Sequence, residues 1–207
     1  MHKELQNYIE NEIMPCYASF DKAHGISHIT QVIEQSLALA KHYDVDEDMV
    51  YTIAAYHDTG LYRGREQHHI VSGEILMADK FLQNLFSQEQ MDVMRQAVED
   101  HRASSDHAPR SIYGRIVAEA DRCIEPHTII RRTVQYSLSH YPTFDREEHF
   151  VRCADHLEEK YGRNGYLKLW IPESDNAARL EELRQIAENS TLLRQLFDQI
   201  FDEETRL

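Results

Sequence analysis

Helix-breaking residues are scarce in this chain. Glycine occurs 7 times and proline 5 times in 207 residues, which excludes long structureless loops and a disordered linker. Cysteine is scarcer still. Cys16, Cys123 and Cys153 form no CxxC pair and are odd in number, so reduced thiols fit better than a disulfide framework, and a Cys-rich structural zinc site is disfavoured. Basic residues are few as well: 22 Lys and Arg against 36 Asp and Glu leave a net charge of −14. A surface this acidic repels phosphate backbones, so no nucleic-acid polymer is expected as a partner. No apolar run approaches the length of a membrane span, and the stretch Met1–Gln6 has no apolar signal core, so neither membrane association nor export is expected and a cytoplasmic location is. There is no alternating strand pair and no Gly-rich phosphate loop.

What the chain has is helical periodicity from end to end. An all-α fold is expected, as one domain over residues 1–207 with a core at about 20–125 and a helical extension at about 126–207. Helices are expected at about 3–17, 27–43 and, capped by Asp46 or Asp48, up to His57-Asp58. Others are expected at about 66–85, from Ser87 to His101, and at 111–125. Ser87-Gln88-Glu89-Gln90 is a capping box. Later helices fall at about 128–140, 145–161, 175–187 and 191–201, the last capped by Ser190 or Thr191. The Lys160–Trp170 stretch is Gly-punctuated, basic and aromatic; it reads as a packed loop anchored by Trp170, with closure over a substrate as the alternative.

Histidine is abundant, at 13 residues, and position selects among them. Val50, Ile53 and Ala54 lead one turn later to His57, which therefore faces inward. Asp58 follows, at the wrong end of the helix dipole for a carboxylate, and Gly60 reads as the stop. Met91, Met94 and Val98 lead to His101; Val117, Asp121 and Ile124 share a face. His28 lies one turn before Val32. Beside Ile70, Gly73 and Met77 stands His69. Several ionisable groups on apolar faces need mutual compensation, and a cation among imidazoles and carboxylates supplies it. Nitrogen and oxygen donors without thiolates suit one or two divalent ions, iron or manganese first, with cobalt, nickel, zinc or magnesium as alternatives.

These residues resemble a known family. Asp21-Lys22-Ala23-His24-Gly25-Ile26-Ser27-His28, Tyr56-His57-Asp58-Thr59-Gly60 and Ile116-Val117-Ala118-Glu119-Ala120-Asp121 are similar to the three motifs of the HD superfamily of metal-dependent phosphohydrolases. The likeness covers about residues 20–125. His69-Ile70-Val71-Ser72-Gly73 and Glu99-Asp100-His101 look like the extra histidines of its two-metal branch. The resemblance implies that His28, His57, Asp58 and Asp121 hold one ion, and His69, His101 and the shared Asp58 a second. His24, His68 and His107 are the alternative histidines. It also implies hydrolysis of a phosphate ester or anhydride of a small phosphorylated substrate, a nucleotide foremost. Attack would be by hydroxide formed from water whose pKa the metal lowers from ~15.7 towards ~7. Where relatives carry a lysine soon after the His-Asp pair, this chain has Leu61. Asp58, Arg63 and Arg102 are the expected catalytic residues, with Arg65 and Arg122 as further phosphate donors. A di-iron oxygenase and a non-catalytic nucleotide-binding module are the rival readings. The oligomeric state is open.

Overall fold

A computed structural model describes residues 2–20 and 24–206. Asp21, Lys22 and Ala23 of the first motif lie outside the described residues. Among the described residues there are eleven α-helices and no strand, so the fold is all-α. No helix is long and apolar enough to cross a membrane. The residues divide into two compact units. The first runs to Cys123 and takes in Trp170–Ser174; the second is Ile124–Leu169 with the residues from Asp175 onward.

In the first unit, α1 (Lys3–Tyr8) runs into a π turn (Ile9–Ile13) and a 3₁₀ turn (Met14–Ser19). A single helix to residue 17 was expected. Pro15, with no amide hydrogen to continue the ladder, sits where the winding tightens. The next helices are α2 (Ile26–Ala40) and α3 (Glu47–Tyr56). Asp46 caps α3 by accepting from the Asp48 amide, and every residue from Met49 to Tyr56 is buried. A helix apolar on all sides is the central post of a core. After a 3₁₀ turn (Thr59–Arg63) come α4 (His68–Ala78) and α5 (Lys80–Leu85).

One helix was expected over the α4–α5 stretch. Asp79 divides it: its backbone is extended, and its Oδ1 accepts from the Phe81 and Leu82 amides as the cap of α5. Its Oδ2 accepts from the hydroxyls of Tyr8 (2.8 Å) and Tyr56 (2.6 Å). Next come α6 (Gln88–Glu99), opened by the Ser87/Gln90 capping box, and α7 (Ile112–Arg122). Here α7 stops short of the expected Glu125, at Cys123, whose φ of 36° and ψ of 62° are left-handed.

The Trp170–Ser174 segment is held by Glu119, a fully buried carboxylate on α7. It accepts from the amides of Trp170 (2.6 Å) and Ile171 (3.3 Å) and from the Ser174 hydroxyl. The second unit contains α8 (Pro126–His140), α9 (Arg146–Tyr161), α10 (Asn176–Glu188) and α11 (Ser190–Thr205). Asn189, rather than Ser190 or Thr191, caps α11, by accepting from the Leu192 amide. Arg163, in the basic aromatic stretch, is paired with Glu181 and Glu188.

Candidate metal centre

Five of the six expected ligands meet in the first unit. His28 stands in the first turn of α2, His57 and Asp58 directly follow α3, His101 lies two residues past α6, and Asp121 is in the last turn of α7. The sixth, His69, joins no cluster. The imidazole brought to Asp58 is that of His68, the first residue of α4. The correction has a simple cause. The buried positions of α4 include His68, Val71, Ser72 and Leu76, spaced i, i+3, i+4 and i+8. Of the stripe Ile70, Gly73 and Met77 read from sequence, Gly73 is buried, but Ile70 is 40% exposed and the buried stripe runs through His68 instead.

Asp58 is the hinge of the arrangement. Its Oδ2 lies 3.4 Å from His57 Nε2 and 3.7 Å from His28 Nε2. Its Oδ1 lies 3.3 Å from His68 Nε2 and 3.4 Å from His101 Nε2. Asp121 Oδ1 joins the first group, 3.3 Å from His28 and 3.7 Å from His57. Two groups that can hold a metal ion thus share one carboxylate: His28, His57 and Asp58, and Asp58, His68 and His101.

The other ring nitrogen fixes each tautomer. His57 Nδ1 is 2.7 Å from Ala54 O, His68 Nδ1 2.8 Å from Arg65 O, and His101 Nδ1 2.6 Å from Val98 O. A carbonyl only accepts, so each Nδ1 carries the hydrogen and each neutral ring presents a lone pair at Nε2. The Nε2 atoms face one another in pairs, His28 to His57 at 3.3 Å and His68 to His101 at 3.0 Å. Two ring nitrogens this close need a proton or a metal ion between or beside them. Six nitrogen and oxygen donors, oriented from behind and free of thiolate, fit divalent cations.

The protein alone already pulls positive charge here. Burial pushes the His57 pKa down, but the charges of Asp58 and Asp121 prevail and lift it to about 9. Burial opposes ionisation of Asp58, yet His57 and the hydrogen bonds of His101, His57 and His68 hold it well below the usual carboxylate range. Asp121 is lowered as well, by His28 and His57 against the effect of burial. His101 is lowered, burial outweighing Asp58.

Two residues that the sequence reading did not assign to the site set its backbone. Tyr17, fully buried, donates to Ala55 O (2.9 Å) and accepts from the Asp58 amide (3.2 Å). It satisfies two backbone groups freed where α3 ends. Gly60 was expected as the helix stop, but it lies inside the Thr59–Arg63 3₁₀ turn, and Gly64, at φ 97°, is the positive-φ glycine here. Gly60 permits a close approach instead. A Cβ there would fall 2.2 Å from His68 O and 2.7 Å from Ser72 N, and its amide donates to Ser72 Oγ at 2.8 Å.

The arginines are less engaged with the cluster than expected. Arg63 lies over the Tyr62 ring, Arg65 reaches the His24 imidazole, and Arg122 Nη1 donates to His101 O at 2.8 Å. Arg102 Nη1 donates to Glu66 O at 2.7 Å. Arg102 and His69 line a neighbouring cavity of about 450 Å³. Burial and the Arg102 charge lower the His69 pKa to about 4.

No curated protein matches the chain. The crystal structure of a predicted HD superfamily hydrolase from an uncultured Thermotogales bacterium is similar to it, with a TM-score of 0.49 and 22% identity over 74% of this chain and 83% of that one. The family model described as HD domain matches residues 25–125, the span that carries all six clustered side chains. Residues 25–125 are an HD domain.

Proposed function

We propose that this chain is a phosphohydrolase that cleaves a phosphate ester or anhydride of a nucleotide or other small metabolite. The HD domain supports the coarser reading, a metal-dependent hydrolase in general. The observation that carries the finer one is the division of Asp58 between two pairs of opposed imidazoles. In this reading His28, His57, Asp58 and Asp121 hold one divalent ion, and Asp58, His68 and His101 hold a second. Such ions, when bound, supply Lewis acidity toward phosphoryl oxygens and a water of pKa near ~7. The protein's own part is orientation. The Nδ1 hydrogen bonds of His57, His68 and His101 fix their rings. Tyr17 fixes the backbone of Asp58. Arg102 uses one of its five donors on Glu66 O, and in this reading its remaining donors receive a phosphate oxygen.

Metal content and turnover test the proposal together. The chain, purified anaerobically without chelator, should carry about two divalent ions. It should release nitrophenol from p-nitrophenyl phosphate or bis(p-nitrophenyl) phosphate. His57→Ala with Asp58→Ala should lose both properties and keep its helical circular dichroism. Full activity in that double variant, or failure of the wild type to take up metal, overturns the proposal. Oxygen uptake coupled to substrate loss would replace it with an oxygen-consuming reaction.

A further inference from the structure

The cavity beside the second imidazole pair has a definite chemical character. His69 and Arg102 line it, and they directly follow His68 and His101. Its volume, about 450 Å³, is within the range of small-molecule sites. Residues 103–109 form a loop held at both ends. At one end Arg102 donates to Glu66 O. At the other, Arg110 Nε donates to both carboxylate oxygens of buried Asp100 (2.9 and 3.1 Å), its amide to Asp100 Oδ2 (2.7 Å), and its Nη2 to Glu99 (2.7 Å). Between these anchors Ser104, Ser105, Asp106 and His107 line the cavity.

The wall is almost wholly hydrogen-bonding. Ile70 is its one apolar member, and no phenylalanine, tyrosine or tryptophan lines it. The guanidinium of Arg110 is held by the carboxylates just named, while Arg102 keeps one donor on Glu66 O and, in the reading above, turns the rest toward the substrate phosphate. His69 packs edge-to-face against His68, and His107 Nδ1 donates to Ala108 O. Nucleobases are recognised largely by stacking on rings or free arginine planes. Hydroxyl-rich groups are recognised by paired donors and acceptors such as serine hydroxyls and carboxylates.

Resting on the phosphohydrolase reading above, we propose that this cavity receives the non-reacting part of the substrate, and that this part is a sugar or polyol rather than a nucleobase. The substrate class is a phosphorylated sugar or polyol, with its phosphate toward Asp58 and its hydroxyls against Ser104 and Ser105.

The test compares ribose 5-phosphate with AMP, which differ by the adenine, on the full chain loaded with Mn²⁺; p-nitrophenyl phosphate serves as a probe without a sugar. Ribose 5-phosphate should be hydrolysed with kcat/KM at least equal to that of AMP. Ser104→Val with Ser105→Val should raise KM for ribose 5-phosphate about tenfold. Without added metal, ribose 5-phosphate should raise Tm more than AMP does, and the double variant should lose that shift. If AMP exceeds ribose 5-phosphate by about tenfold or more, the size of a stacking contribution, or the double variant keeps the wild-type KM and Tm shift, the cavity proposal falls while the phosphohydrolase reading stands. If no phosphate ester, p-nitrophenyl phosphate included, is hydrolysed, both fall.

Discussion

The two compact units handle charge in opposite ways. The first gathers ionisable groups at its centre: His57, Asp58 and His101 are buried, and so are Asp100 and Glu119 nearby. The second keeps its charges outside. Arg131 pairs with Glu203 and Glu204, Arg146 with Asp198 and Asp202, and Arg194 with Glu147 and Asp198. Its interior is mainly apolar, with Ile130, Val134, Leu157, Leu183 and Phe197 around the buried imidazole of His149. Exposed ion pairs contribute about 0–1 kcal/mol each, so apolar burial stabilises the second unit. Asp58 and Asp121 beside closely paired imidazoles favour positive charge among them, so the charge of the first unit's centre is coupled to what it binds.

That contrast can be broken at its most sensitive point by changing His68 and His69 separately. His68→Ala should remove about one of two bound ions, while His69→Ala should leave the metal content unchanged; elemental analysis decides, and the reverse result would restore His69 as the ligand. Next in size, Leu157→Ala in the second unit should cost about 2–5 kcal/mol, as a fully buried leucine does when truncated, without changing metal content. Denaturant titration and elemental analysis of the same preparation check both halves.

Tyr17→Phe should cost about 1–3 kcal/mol, because Ala55 O and the Asp58 amide lose a buried partner. Weaker metal retention in competition with a chelator should accompany the lower stability. The smallest effect concerns His149, buried beside Ser137 at 2.6 Å. Burial lowers its pKa, so the unfolded chain takes up its proton first as pH falls below about 6.5. The contribution of His149 is therefore fully present above that pH and lost below it, with a slope no steeper than about 1.4 kcal/mol per pH unit. Hydrogen exchange of α9 amides at about pH 7 and about pH 5.5, in wild type and His149→Gln, should reveal the slope and its removal.

What was legible in the sequence follows the reach of each signal. Local periodicity placed His57, His101 and Asp121 at the ends of apolar stripes, and the Ser87 capping box is where the four-residue pattern put it. On α4 the same reasoning failed, because a run such as His68-His69-Ile70-Val71 offers two overlapping stripes and only tertiary packing chooses between them. Val71, Ser72 and Leu76 form the buried one, which selects His68. Tyr17 was out of reach for another reason: its partner Asp58 is 41 residues away, and no local pattern announces that contact. Asp79 looked like an interior helix residue until two distant tyrosine hydroxyls accounted for its second oxygen. Arg102 was selected for its position after His101, and its bond to Glu66 O shows that it also pins a loop.

Gly60 acts as a ruler. The His57-Asp58 corner and the first turn of α4 meet there with no room for even one carbon atom, since a Cβ would overlap His68 O. The separation between the two halves of the centre is therefore set by main-chain contact, through a missing methyl group, and not by flexible side chains reaching toward each other. Any larger residue at this position would act as a wedge, driving His68 away from Asp58 while leaving His28, His57 and Asp121 in place, and so would divide the centre along the line between its two histidine pairs.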